Sequence, residues 1–87
     1  MAEINDVVMV KWIDTTGFGR WEARKYAEDL RPSEIESYGR LIKETDEFVT
    51  VAGSVDLSIP NTSNTDCIPK SSITSVTVLR KGKGSKK

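Results

Sequence analysis

Eighty-seven residues make one small domain, which buries only about 60–65% of the surface its unfolded chain exposes, so modest stability is expected. Hydrophobic residues at 37% and charged residues at 30% place the chain in the globular range and outside the disordered one. Histidine is absent and Cys67 is the single cysteine, which excludes an internal disulfide, His-dependent nucleophilic or acid–base catalysis and most transition-metal sites.

The zero net charge is divided unevenly. All thirteen acidic residues and eight of the thirteen basic ones precede Arg80, leaving −5 on the body and +5 on the last eight residues. Gly and Ser interleave those last charges, so residues 80–87 read as a flexible basic tail on a folded body of residues 1–79. A tail of this kind predicts that deleting Lys81 to Lys87 leaves stability unchanged.

Eight Val, seven Ile and eight Thr against four Leu favour pleated, half-buried surfaces, and the body reads as mostly β. In the first strand, Val7 to Ile13, the residues Val8, Val10 and Trp12 share one face, and Trp12 reads as core. Residues 14–20 hold Gly17-Phe18-Gly19 and suit a loop; the glycines lack the further Gly and Lys of a phosphate-cradling motif. Ala23, Tyr26, Ala27 and Leu30 have helical spacing before Pro32, but the stripe is thin, so residues 21–30 fit a short helix or an irregular loop equally. Ser33-Glu34-Ile35-Glu36 has the form of a capping box, but Gly39 follows too soon for a helix.

Residues 38–43 and 48–52 read as strands of a hairpin around a polar connection at residues 44–47. Residues 53–66 lack periodicity and read as a mobile loop with an extended piece at 55–59. Cys67 to Lys70 then gives a short strand with Pro69 at an edge, Ser71-Ser72 a tight turn, and Ile73 to Leu79 the last strand. Val8, Val10, Leu41, Val49, Val51, Ile68, Ile73 and Val78 form the expected core.

Five short strands with a long first connection, a central hairpin and a short turn before the last strand fit a small five-stranded, half-open barrel of the SH3-like or Sm-like plan. Val10 to Asp14, Trp21, Ser37 to Leu41, Val49 to Ala52 and Ile68 to Ile73 together resemble a group of short uncharacterised proteins of phages and prophages. Ile68-Pro69-Lys70-Ser71-Ser72-Ile73 is also similar to the turn before the last strand of SH3-like barrels. The resemblance implies a phage accessory protein acting in the host cytoplasm. It carries no catalytic or binding residues.

The chemistry-bearing residues point the same way. Asp14, Glu44, Asp46, Glu47, Asp56 and Asp66 match no metal or phosphatase spacing and read as solvated surface. Cys67 has no supporting histidine and reads as a small buried hydrophobe. No enzyme activity and no cofactor are expected. A membrane is not expected as a partner either, because no apolar run approaches the length of a span and the N-terminus lacks the pattern of a secretory signal.

Phe18, Arg20, Trp21, Arg24 and Tyr26 are the candidate binding residues, because small barrels of this plan hold peptides on aromatics near the long first loop. Arg80, Lys81, Lys83, Lys86 and Lys87 are the candidate tail contacts. The first functional expectation is a module binding a host or phage protein. The alternatives are a nucleic-acid-binding barrel using Arg20, Arg24, Lys25, Arg31 and the tail, and an oligomer that sequesters a small anionic ligand.

Overall fold

The computed structural model describes residues 2–17 and 19–82. Five strands alternate with little else: β1 Val7–Asp14, β2 Ser33–Glu44, β3 Phe48–Asp56, β4 Asn61–Pro69 and β5 Ile73–Arg80, with a six-residue helix α1 at Arg24–Asp29 and a 3₁₀ turn at Lys70–Ser72. All neighbours are antiparallel, and the strands lie in one sheet in the order β4-β3-β2-β1-β5. The edges β4 and β5 are not paired with one another, so the sheet is not a closed barrel.

Alternation along β1 sets the core. Val8 and Val10 are buried on one face while Val7 and Met9 are half-buried on the other. Registers Val8↔Gly39, Val8↔Val78 and Val10↔Val76 carry that face into β2 and β5, and Leu41↔Val51 and Val49↔Ile68 carry it to the far edge. Val8, Val10, Leu41, Val49, Val51 and Ile68 make one buried cluster, with Ala2, Trp12, Ile73 and Val78 packed partly against it. Ile73 and Val78 therefore flank the core and are not enclosed by it. Trp12 is likewise half-buried, and its indole Nε1 donates to Ser37 Oγ at 2.9 Å.

Gly39 marks a close approach of β2 to β3, since a Cβ there would lie 2.6 Å from the Ala52 carbonyl oxygen. Register shifts between Leu41 and Lys43, Val7 and Val8, and Lys11 and Trp12 add local bends.

Residues 53–66 form no irregular loop. β3 continues to Asp56 and β4 starts at Asn61, giving a long hairpin with register Asp56↔Asn61. Its tip is built by Asp56, whose Oδ1 accepts from the Ser58 amide at 2.9 Å and the Ser58 hydroxyl at 2.6 Å. The sequence shows no alternation here because eight of the nine β4 residues are exposed, Ile68 alone being buried. The β2–β3 turn is pinned by Thr45, whose hydroxyl accepts from the amides of Glu47 and Phe48 at 3.0 and 3.1 Å.

The Cα radius of gyration is 16.3 Å, against about 12 Å for a compact chain of this length.

Candidate functional site

Residues 15–17 and 19–32, between β1 and β2, form an arm whose neck is closed and whose body is exposed except at half-buried Leu30. At the neck Asp14 pairs with Ser33, Thr16 Oγ1 and Ser33 Oγ are 2.9 Å apart, and the Asp14 carboxylate accepts from the Thr15 amide at 2.8 Å. Beyond it the connection resolves into α1, which has no buried residue and no side-chain cap at Ala23. A helix this short is not self-sustaining in water. Its internal support is the Arg24–Glu28 pair at 3.4 Å, of a kind worth a few tenths of a kcal/mol.

Trp21 precedes this helix fully in solvent, at 101% relative exposure, and Tyr26 on α1 is 64% exposed. A solvated Trp forgoes roughly 2–3 kcal/mol of burial that a large apolar side chain can supply. At the foot of the arm lies a cleft of about 530 Å³ lined by Lys11, Trp12, Ile13, Glu34, Ile35, Glu36 and Thr74. Arm and cleft thus place Trp21, Tyr26, Ile13 and Ile35 on one end of the sheet.

Two of the arm's four cations are ion-paired with its own acids. Arg20 Nε is 2.6 Å from Glu22, Arg24 pairs with Glu28, and Asp29 adds a further negative charge beside Lys25 and Arg31. Arg20 and Arg24 thus each have a carboxylate partner within the arm. Phe18, also expected in this group, lies outside the described residues, as do Lys83, Lys86 and Lys87.

Arg80 and Lys81 are elsewhere. Arg80 is the last residue of β5 and pairs with Val7, at the end of β1 opposite the arm, about 23 Å from Asp14 at the rise of a strand. Lys81 does not behave as free tail: its Nζ is 2.9 Å from Asp6 and 3.6 Å from Glu3. Gly82 donates its amide to Asp6 Oδ1 at 2.8 Å, and the Glu3 amide donates to Asp6 Oδ2 at 2.8 Å. The ordered body therefore includes residues 80–82, which the charge pattern assigns to the tail.

Asp6 is the charged residue that sequence reasoning missed. It is 1% exposed, and the Gly82 amide, the Glu3 amide and the Lys81 ammonium hold its carboxyl at about 2. At the hairpin tip the Ser58 hydroxyl and amide also lower Asp56. On β2 the Tyr38 hydroxyl donates to Glu36 at 2.8 Å, which raises the phenol.

Cys67 is exposed, which corrects the expectation of a buried thiol. Its neighbour Ile68 takes the core face, so alternation turns Cys67 to the other side. Among the described residues no three His, Cys, Asp or Glu side chains gather in a metal-holding group, and no helix is long and apolar enough to cross a membrane.

Comparison with protein-family models, with curated proteins and with solved structures yields no match to this chain.

Proposed function

We propose that the protein is a non-enzymatic binding module that holds a protein partner on the arm of residues 15–32 and the cleft at its foot. The observation that carries this reading is Trp21, a fully solvated indole on a segment clamped at its neck and next to a helix with no buried residue. Aromatic residues at such positions become binding hot spots when a partner desolvates them. Ion pairs within the arm favour a protein over nucleic acid, since Arg20 and Arg24 already have carboxylate partners.

The strand order, the long first connection and the 3₁₀ turn before β5 support reading the sheet as an open relative of the SH3-like plan. In that plan peptides lie near the first connection, the end where the arm and cleft are found. On the resemblance to short phage proteins, the partner is a host or phage protein met in the host cytoplasm.

The test is a pair of variants, Trp21→Ala and Tyr26→Ala, assayed for retention of partner proteins from infected cells. Loss of a wild-type partner in both, with melting unchanged, supports the reading. Retention of every partner by both variants overturns it.

A further inference from the structure

Arg40 and Arg80 are brought together by topology alone. Val7 of β1 pairs with Arg40 on one side and with Arg80 on the other. Three adjacent strands set the outer two Cα atoms about 10 Å apart, and residues directly opposite share a sheet face, so both arginines flank the small side chain of Val7. Lys81 follows on the same rim. These three cations, with Val7, Val55 and Leu57, line a cleft of about 410 Å³.

The electrostatics leave the arginines available. No carboxylate of the described residues lies within ion-pair distance of Arg40 or Arg80, whereas Lys81 is held by Asp6 and Glu3. The Asp6 carboxylate accepts from the Lys81 ammonium and from the amides of Gly82 and Glu3. Arg40 is oriented by one bond, from its guanidinium to the Asn5 carbonyl at 3.1 Å, and keeps its remaining donors. One wall of the cleft is apolar: Leu57 is 94% exposed and Val55 stands beside it.

We propose that this cleft binds a small organic phosphate, its phosphoryl oxygens bridging Arg40 and Arg80 and its apolar body lying against Val55 and Leu57. Two arginines on either side of Val7 that line one cleft suit an anion with oxygens enough for both guanidinium forks. A phosphate monoester meets that requirement, while a single carboxylate satisfies one fork. The exposed Leu57 selects for a phosphate that carries an apolar group. The site is at the opposite end of β1 from the arm, so it stands or falls independently of the protein-binding reading.

The experiment is calorimetric titration of the full chain with phenyl phosphate and with inorganic phosphate, using wild type, Arg40→Gln, Arg80→Gln, Leu57→Ser and, as a distant control, Arg31→Gln. Wild type binds phenyl phosphate more tightly than inorganic phosphate. Arg40→Gln and Arg80→Gln each weaken phenyl phosphate about tenfold or more, as expected for loss of a charge-assisted contact. Leu57→Ser brings the two ligands closer in affinity, and Arg31→Gln matches wild type. Arg80 is exposed and makes no described side-chain bond, so its variant reports on binding even where Arg40→Gln disturbs the fold. Equal binding by wild type and Arg80→Gln, absence of wild-type binding at millimolar ligand, or an equal loss in Arg31→Gln overturns the proposal.

Discussion

Lys81 Nζ stands 2.9 Å from Asp6 Oδ2, fastening the chain that leaves β5 to the chain that enters β1. The Gly82 amide completes the clasp on the other carboxylate oxygen. Neighbouring bonds extend it into β2, where Leu41 exchanges backbone hydrogen bonds with Asn5 and Asp6, each at 2.8 Å. One buried carboxylate thus joins both ends of the body, and the backbone that carries it ties them to the central strand.

The clasp makes an acid-stability prediction. The Asp6 carboxyl is lowered from its ordinary 3.8 to about 2 in the folded protein. A depressed carboxyl contributes stability that is fully present above the ordinary value and is lost as pH falls toward the folded value. Wild type therefore loses stability between pH 3.8 and about 2 more steeply than Asp6→Asn does, while the variant is less stable near neutrality. Urea midpoints measured at a series of pH values check both statements.

Gly82 offers a steric test of the same contact. A Cβ at this position would collide with the Asn5 backbone carbonyl, and backbone cannot move aside as a flexible side chain can. Gly82→Ala lowers the melting temperature, and so does truncation after Arg80. The basic composition of the last residues predicted that a truncation from Lys81 would pass unnoticed; the bonds of Lys81 and Gly82 to Asp6 reverse that expectation.

Leu41 is 1% exposed at the centre of the core cluster. Leu41→Ala costs about 2–5 kcal/mol, a large share of the roughly 5 kcal/mol that a small domain holds. Denaturant unfolding at 25 °C should show most of the stability gone.

Cys67 reacts freely. Its side of β4 is exposed, so a thiol reagent labels native protein about as completely as denatured protein, without affecting the core. Protection of the thiol until unfolding would place β4 one residue out of register, exchanging Cys67 with Ile68.

These residues also show what the sequence could reveal. Val8 and Val10 alternate with residues of the opposite face, and Leu41, Val49, Val51 and Ile68 stand in equally plain apolar contexts, so the heart of the core was legible. The β4 strand was not, because its first residues, Asn61 to Asp66, are exposed on both faces and leave no period of two. Asp6 was hidden for another reason: its partners Lys81 and Gly82 lie more than seventy positions away, and only the β1–β5 pairing brings them near. The same pairing sets Arg80 beside Val7 opposite Arg40, a juxtaposition that charge counting spread along the chain cannot reveal. At the arm, Trp21 and Tyr26 were recognisable as aromatics in or beside a thin helical stripe, but their exposure depends on α1 burying none of its residues.

The most direct test of the protein-binding account is site-specific photo-crosslinking from position 21 in infected cells, with position 67 on the exposed side of β4 as the comparison. A protein adduct is expected from position 21, absent from position 67 and lost when Tyr26→Ala is added. Trp21 replacement itself should change folding stability by no more than about 0.5 kcal/mol, as for a side chain that packs on nothing. A nucleic-acid adduct at position 21, or protein adducts from position 67 with none from position 21, would contradict it.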